Sequence, residues 1–171
     1  MRLRTARLTL RPLELSDAWD LFAIRGDPEA MAFWDWPADP AFAHTRAVTA
    51  GLLHEMASGE AVYWTAVLSD GRFAGLFDLG GLRTGQGDLG FMLRRPLWGL
   101  GLGREGAQAV VEDAWRRGLP SVRSRIHAAN GRSERLLLSL GFTQAGPDAD
   151  VEVRSGVWTP CRVFQLDRTI R

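Results

Sequence analysis

The sequence predicts a mixed α/β domain built on a mostly antiparallel sheet, and three observations predict it. Residues 61–69, 71–84 and 87–95 read as successive strands separated by "SDG" and "TGQG", the pattern of an antiparallel meander. A helical segment at 103–117 then lies between the last of these and a strand at 122–128, which requires a right-handed crossover. Residues 150–167 read as a hairpin turned near Ser155 and Gly156. With 171 residues, 46% of them hydrophobic, the chain has material for one core and too little for two, so 1–171 is read as one domain.

The elements follow in order. "RLTLRPL" (7–13) alternates as a strand, and "LSDAWDLFAIRGD" (15–27) is a helix capped by Ser16 or Asp17, with Leu21, Phe22 and Ile24 at helical spacing. A helix pair fills 28–57: "PEAMAFW" is the short member, "DWPADP" interrupts it, and "AHTRAVTAGLLHEMASG" ends at Gly59. After the meander, Ala107, Val110, Val111, Ala114 and Trp115 mark one apolar helix face, which Gly118 and Pro120 terminate. "SERLLLSL" (133–140) is a last helix closed by Gly141, and the strands number about seven.

Composition narrows the function. Twenty-one basic against 20 acidic residues leave no net charge that would draw the chain to nucleic acid or an anionic membrane. Every basic residue is Arg, and without Lys there is neither a Walker-type phosphate loop nor Schiff-base chemistry. His44, His54 and His127 are scattered, so no metal centre is expected. Cys161 is alone and cannot form an internal disulfide, which fits a reducing cytoplasm. The alternating "MRLRTARLTLRPLEL" is a strand and not a signal peptide, and no run reaches the ~18 apolar residues of a membrane span.

The most informative stretch is "LRRPLWGLGLGREG", where Gly99, Gly101 and Gly103 sit where a helix begins. Glycine permits positive φ and close approach of a ligand to the backbone. The first-turn N–H groups of the helix are unpaired and carry about half a positive charge. A phosphate-bearing ligand is the natural occupant, with Arg104, Arg94 and Arg95 as further donors; a tight turn alone would also use such glycines. Gly101, Gly103 and Gly106 also satisfy the dinucleotide pattern G-x-G-x-x-G. That fold places it in its first strand-helix unit, with an acidic residue ending the next strand; here it follows a meander and the next strand reads "VRSRIHAAN".

"WGLGLGRE" (Trp98 to Glu105), followed by Asn130, Ser133, Gly141 and Phe142 in "NGRSERLLLSLGF", resembles the GNAT acetyltransferase superfamily and its ribosomal-protein N-terminal acetyltransferase (Rim-like) branch. "TARLTLRPLELSD" and "DPEAMAFW" resemble that branch too. The wider superfamily starts its loop with Gln or Arg in place of Trp98, and the branch carries Ala in place of Gly106. The resemblance implies a GNAT-like fold and acetyl transfer to a primary amine, on a protein N-terminus or a small molecule, by direct transfer, and related folds often dimerise. It implies that the loop from Trp98 through Gly99, Leu100, Gly101, Leu102 and Gly103 to Arg104 holds the pyrophosphate of acetyl-CoA. Phe91, Met92 and Leu93 would line the pantetheine arm through their backbone, and Asn130 would bond it while capping the next helix.

Ser133 would protonate the departing thiolate, although Ser in a first helical turn is also common for local reasons. Asp88 is the candidate base, with a solvated strand-end carboxylate as the alternative and His127 as a second candidate. Glu105 complements the helix N-terminus. Cys161 reads as a small buried thiol more readily than as an acyl carrier. Trp34, Trp36 and Trp64 are read as walls of the acceptor pocket, a place aromatics take less often than the core. Two other readings remain at this point: a nucleotide or NAD(P) binder using the same loop, and a CoA-binding module without turnover.

Overall fold

The computed structural model describes residues 1–154 and 156–168. Among the described residues nine strands form one sheet: β1 (Leu3–Arg4), β2 (Leu8–Pro12), β3 (Val62–Leu68), β4 (Phe73–Gly80), β5 (Gly87–Leu93), β6 (Ser121–His127), β7 (Thr143–Gln144), β8 (Ala149–Arg154) and β9 (Val157–Asp167). Their spatial order is β1-β2-β3-β4-β5-β6-β9-β7, with β8 also on β9, and β5 with β6 is the parallel pair. The expected seven strands are present; β1 and β7, two residues each, bring the number to nine. The turn placed at Ser155 falls outside the described residues, and Gly156 beside it takes a φ of 73°.

Helices α1 (Ala18–Arg25), α2 (Phe42–Ser58), α3 (Leu102–Arg116) and α4 (Gly131–Ser139) pack on the sheet. The pleat divides the central strands between two cores. Trp64, Phe77, Leu79, Leu89 and Leu93 face α3, whose Ala107, Val110 and Ala114 are fully buried. Tyr63, Leu76 and Met92 face the other way, against Leu21 and Ile24 of α1 and Leu52 of α2. Among the described residues no helix is long and apolar enough to cross a membrane.

Two expectations fail locally. "PEAMAFW" forms turns instead of a helix, because the Asp27 carboxylate accepts the N–H groups of Glu29 and Ala30 and is pinned by Arg95 Nε at 2.9 Å. Asp17 does not cap α1 with its side chain, which turns back to the 3-10 turn at Leu15–Asp17. It lies buried, accepting Arg11 Nη1 at 2.8 Å, Thr65 Oγ1 at 2.6 Å and Glu14 N–H at 2.8 Å. Burial opposes the charge of Asp17, yet the hydrogen bonds from Arg11, Thr65 and Glu14 outweigh it and hold the carboxyl below its usual range.

Candidate active site

The parallel pairing of β5 with β6 lasts for two registers, Gly87 with Val122 and Asp88 with Arg123. One bond further, Ser124 Oγ donates to Leu89 O at 3.0 Å, and then the strands part. Backbone groups alternate in direction along a strand, and Leu89 O and Leu93 O both point away from β4, the latter to Trp98 Nε1 at 2.9 Å. Phe91 shares their parity, so its N–H and C=O open into the wedge between β5 and β6.

The wedge runs into a cavity of about 460 Å³. Phe91, Met92 and Leu93 line it from β5; Trp98, Gly99, Gly101, Gly103 and Arg104 line it from the loop and the start of α3. Gly99 and Gly101 have φ of 78° and 79°, conformations that side chains resist, and Gly101 is the N-cap of α3. Gly103 has another reason: a Cβ there would meet Leu136 Cδ1 at 2.8 Å. Of the expected loop residues, Leu100 is exposed and Leu102 is buried in the α3 core, so neither side chain lines the cavity.

The loop is braced from the N-terminal strand. Glu105, in the first turn of α3, accepts Thr5 Oγ1 at 2.6 Å and both N–H and Nε of Arg7 at 2.7 Å, while Arg7 Nη1 donates to Leu100 O at 2.8 Å. Burial opposes the Glu105 charge, and these donors hold its carboxyl below the usual range. On the opposite wall Asn130 Oδ1 accepts Ser133 N–H at 3.2 Å, so it caps α4 as expected while lining the cavity beside Ser133. Arg132, overlooked in the sequence, also lines it, its guanidinium 3.9 Å from the centre of the Trp98 ring. Arg95 is not free to join: Asp27 and Glu29 hold it.

A second cavity, of about 770 Å³, lies between the sheet and α2. The two share Trp34 and Met92, so they meet at the end of β5. Trp34 and Trp36 line the second cavity. Trp64 does not: it is fully buried on the opposite face of the sheet, donating Nε1–H to Met1 O at 3.0 Å. Asp88 lines neither cavity; it sits at the paired end of β5, about 13 Å along the strand from Met92 at ~3.3 Å per residue. Burial raises its pKa and the Arg123 charge opposes the rise. His127 is also outside, accepting Ala129 N–H on Nδ1, and Cys161 is buried beside Arg125.

The residues of the smaller cavity fit a long phosphate-bearing ligand: positive-φ glycines at an uncovered helix start, cations at Arg104 and Arg132, and a strand edge with free amide groups. The family profile described as "Acetyltransferase (GNAT) domain" matches residues 7–143. The uncharacterized N-acetyltransferase p20 of Bacillus licheniformis is 26% identical over 168 residues, which cover 96% of this chain and 94% of that protein. An acetyl transferase from Salmonella typhimurium that modifies the N-terminal serine of 50S ribosomal subunit protein L7/L12 superposes with TM-score 0.86 at 17% identity, covering 99% of this chain and 100% of the other. Spermidine N-acetyltransferase from Vibrio cholerae, solved with CoA and spermine, superposes with TM-score 0.80 at 14% identity, covering 94% and 95%. At those identities the two structures establish a shared fold.

Proposed function

Because the chain belongs to the GNAT acetyltransferase family and is an acetyl-CoA-dependent N-acetyltransferase, we propose that it works by direct transfer, with acetyl-CoA in the smaller cavity and the amine in the larger. The observation that carries this division is the junction of the two cavities at Met92 and Trp34, where the wedge of β5 opens. The amides from Gly99 to Gly103 hold the pyrophosphate, helped by the dipole of α3 and by Arg104 and Arg132. The pantetheine arm extends along β5 as an added strand would, against Phe91 N–H and C=O, with Asn130 on its other side. When bound, the thioester supplies an activated acetyl group.

The chain's own groups orient it. Phe91 N–H, or Leu93 N–H on the same edge, is placed to stabilise negative charge on the carbonyl oxygen, a contribution of ~3 kcal/mol where single donors have been removed elsewhere. Ser133 Oγ lines the same cavity and offers its proton to the leaving sulfur. Trp34 and Trp36 wall the acceptor, which is a protein N-terminus or a small-molecule amine met in the cytoplasm. The Rim-like resemblance favours the N-terminus, and a homodimer is compatible with it.

Calorimetric titration tests the reading: acetyl-CoA binds and NADPH does not, and thiol is released when amines are added. Tight binding of NADPH alone would overturn it. Binding of acetyl-CoA without thiol release across peptide and small-amine panels would reduce the protein to a CoA-binding module.

A further inference from the structure

Asp78, at the middle of β4, is the carboxylate nearest the junction of the two cavities in the pairing of the sheet. Its backbone pairs with Tyr63 of β3 on one side and Gly90 of β5 on the other, and the three share the face that carries Met92. Gly90 leaves the space its carboxylate occupies: a Cβ there would lie 2.7 Å from Oδ2 and closer still to Oδ1. The Asp78 side chain therefore reaches over β5, the strand along which the acetyl donor is placed, and it lines the acceptor cavity. Among the described residues no protein group donates a hydrogen bond to it.

Its surroundings are uneven in charge. From α2, Glu55 faces it, with Oε2 accepting the Tyr63 hydroxyl at 2.6 Å, and His44 lies further along the same cavity. Burial and then Glu55 push the Tyr63 hydroxyl far up, so it stays protonated and serves as a donor. From β5, Asp88 adds negative charge. Two further pairs of charges line the cavity or flank it: Arg25 with Asp39 at 2.8 Å, and Asp35 with Arg125. Arg154 of β8 stands at the far side, 5.8 Å from the centre of the Trp36 ring. Between these ends the walls are Leu52, Leu76, Met92 and the two Trp rings.

We infer that Asp78 is the general base of acetyl transfer and that, with Glu55, it docks a primary ammonium carrying a single positive charge on an apolar body. The inference rests on the reading that acetyl-CoA fills the adjoining cavity. The ammonium passes one proton to the Asp78 carboxylate, and the freed lone pair forms the N–C bond. The C–S bond breaks with its electron pair on sulfur; Ser133 gives its proton to that sulfur and takes the second proton lost by nitrogen, and Asp78 returns its own to water. Burial, followed by the charges of Glu55 and Asp88, pushes the Asp78 carboxyl up to about 7, near the value that suits a base at neutral pH. With Glu55 engaged at the first ammonium, a second would meet apolar wall, Arg154, or the Asp35 and Asp39 carboxylates already neutralised by Arg125 and Arg25, so polyamines are poor acceptors.

The test is the pH dependence of kcat/KM in the intact enzyme, with a phenylalkylamine and spermidine compared as acceptors and acetyl-CoA binding measured separately. Asp78→Asn should lose roughly 10²–10⁴-fold in kcat/KM, together with the acidic limb, and bind acetyl-CoA as the wild type does. Glu55→Gln should move that limb to lower pH, since removing a negative neighbour lowers the pKa of Asp78. Asp88→Asn should retain the rate within a few-fold and shift the limb the same way; wild-type rate and limb in Asp78→Asn, or their loss in Asp88→Asn, would overturn the assignment. Preference for spermidine over the phenylalkylamine would overturn the acceptor class. Failure of the wild type to bind acetyl-CoA is a separate result, against the reading beneath.

Discussion

Gly106 offers the sharpest test of how α3 is seated, because replacing it by Ala adds one carbon and nothing else. In an open helix the change is favourable by about 1 kcal/mol. Here the new Cβ would lie 2.6 and 2.7 Å from Cε1 and Cε2 of Phe77 and closer still to Cζ, well inside the 3.4 Å at which ordinary contact begins. Phe77 is fully buried in the α3 core, so the ring cannot withdraw, and α3 must lift off the sheet at Ala107 and Val110. Overpacking of this kind costs about 1–3 kcal/mol, and an overlap with three atoms of an enclosed ring belongs at the upper end. After the propensity gain, Gly106→Ala should be destabilised by about 2 kcal/mol, a fall in Tm of about 4–8 °C for a chain of this size. Gly51→Ala in α2 is the control: no atom lies within 4 Å of its added carbon, so it should be stabilised by up to about 1 kcal/mol. Urea and thermal unfolding followed by circular dichroism decide the matter; equal or greater stability of Gly106→Ala than wild type would refute the close seating of α3 on Phe77.

Asp17→Asn should cost about 3 kcal/mol at neutral pH by leaving Arg11 without its buried partner. Since the folded Asp17 pKa is lowered, its contribution is complete above the ordinary carboxylate value of about 4 and disappears as pH falls through the folded value. Urea unfolding at neutral pH and near pH 3 should therefore give a mutant-to-wild-type gap that narrows in acid; a constant gap would contradict it. Ser133→Ala should reduce kcat by less than the ~100-fold typical of a lost general acid, because the CoA thiolate is weakly basic. Its acetyl-CoA affinity should be unchanged by calorimetry. Glu105→Gln should release Arg7 from the loop and weaken acetyl-CoA binding up to about tenfold, the effect of ~1.4 kcal/mol.

The sequence was most legible where structure is local. The apolar stripe from Ala107 to Ala114 and the glycines at 101, 118 and 141 set the limits of α3 and α4 within a residue or two, since each signal acts within one helix. Asn130 was readable as a cap for the same reason. The apolar spacing of residues 28–34 suits a helix, while Arg95, far along the chain, holds Asp27 in a turn. Trp64 and Tyr63 show the limit of alternation: period two says that neighbours face opposite ways, yet only the placement of α2 and α3 says which of them meets the cleft. Asp78 is hidden in "GLFDLGG", a run that reads as plain strand; pairing with Gly90 and Tyr63 is what gives it a place beside the cleft. Asp88 lies on β5, four residues from Met92, where the two cavities meet, and alternation alone does not show that distance.

A crystal structure of the enzyme with acetyl-CoA measures directly where the diphosphate sits. Both phosphorus atoms should lie within hydrogen-bonding reach of the amides between Gly99 and Gly103, with the pantetheine arm beside Phe91. Clear density for the diphosphate anywhere else would contradict the account.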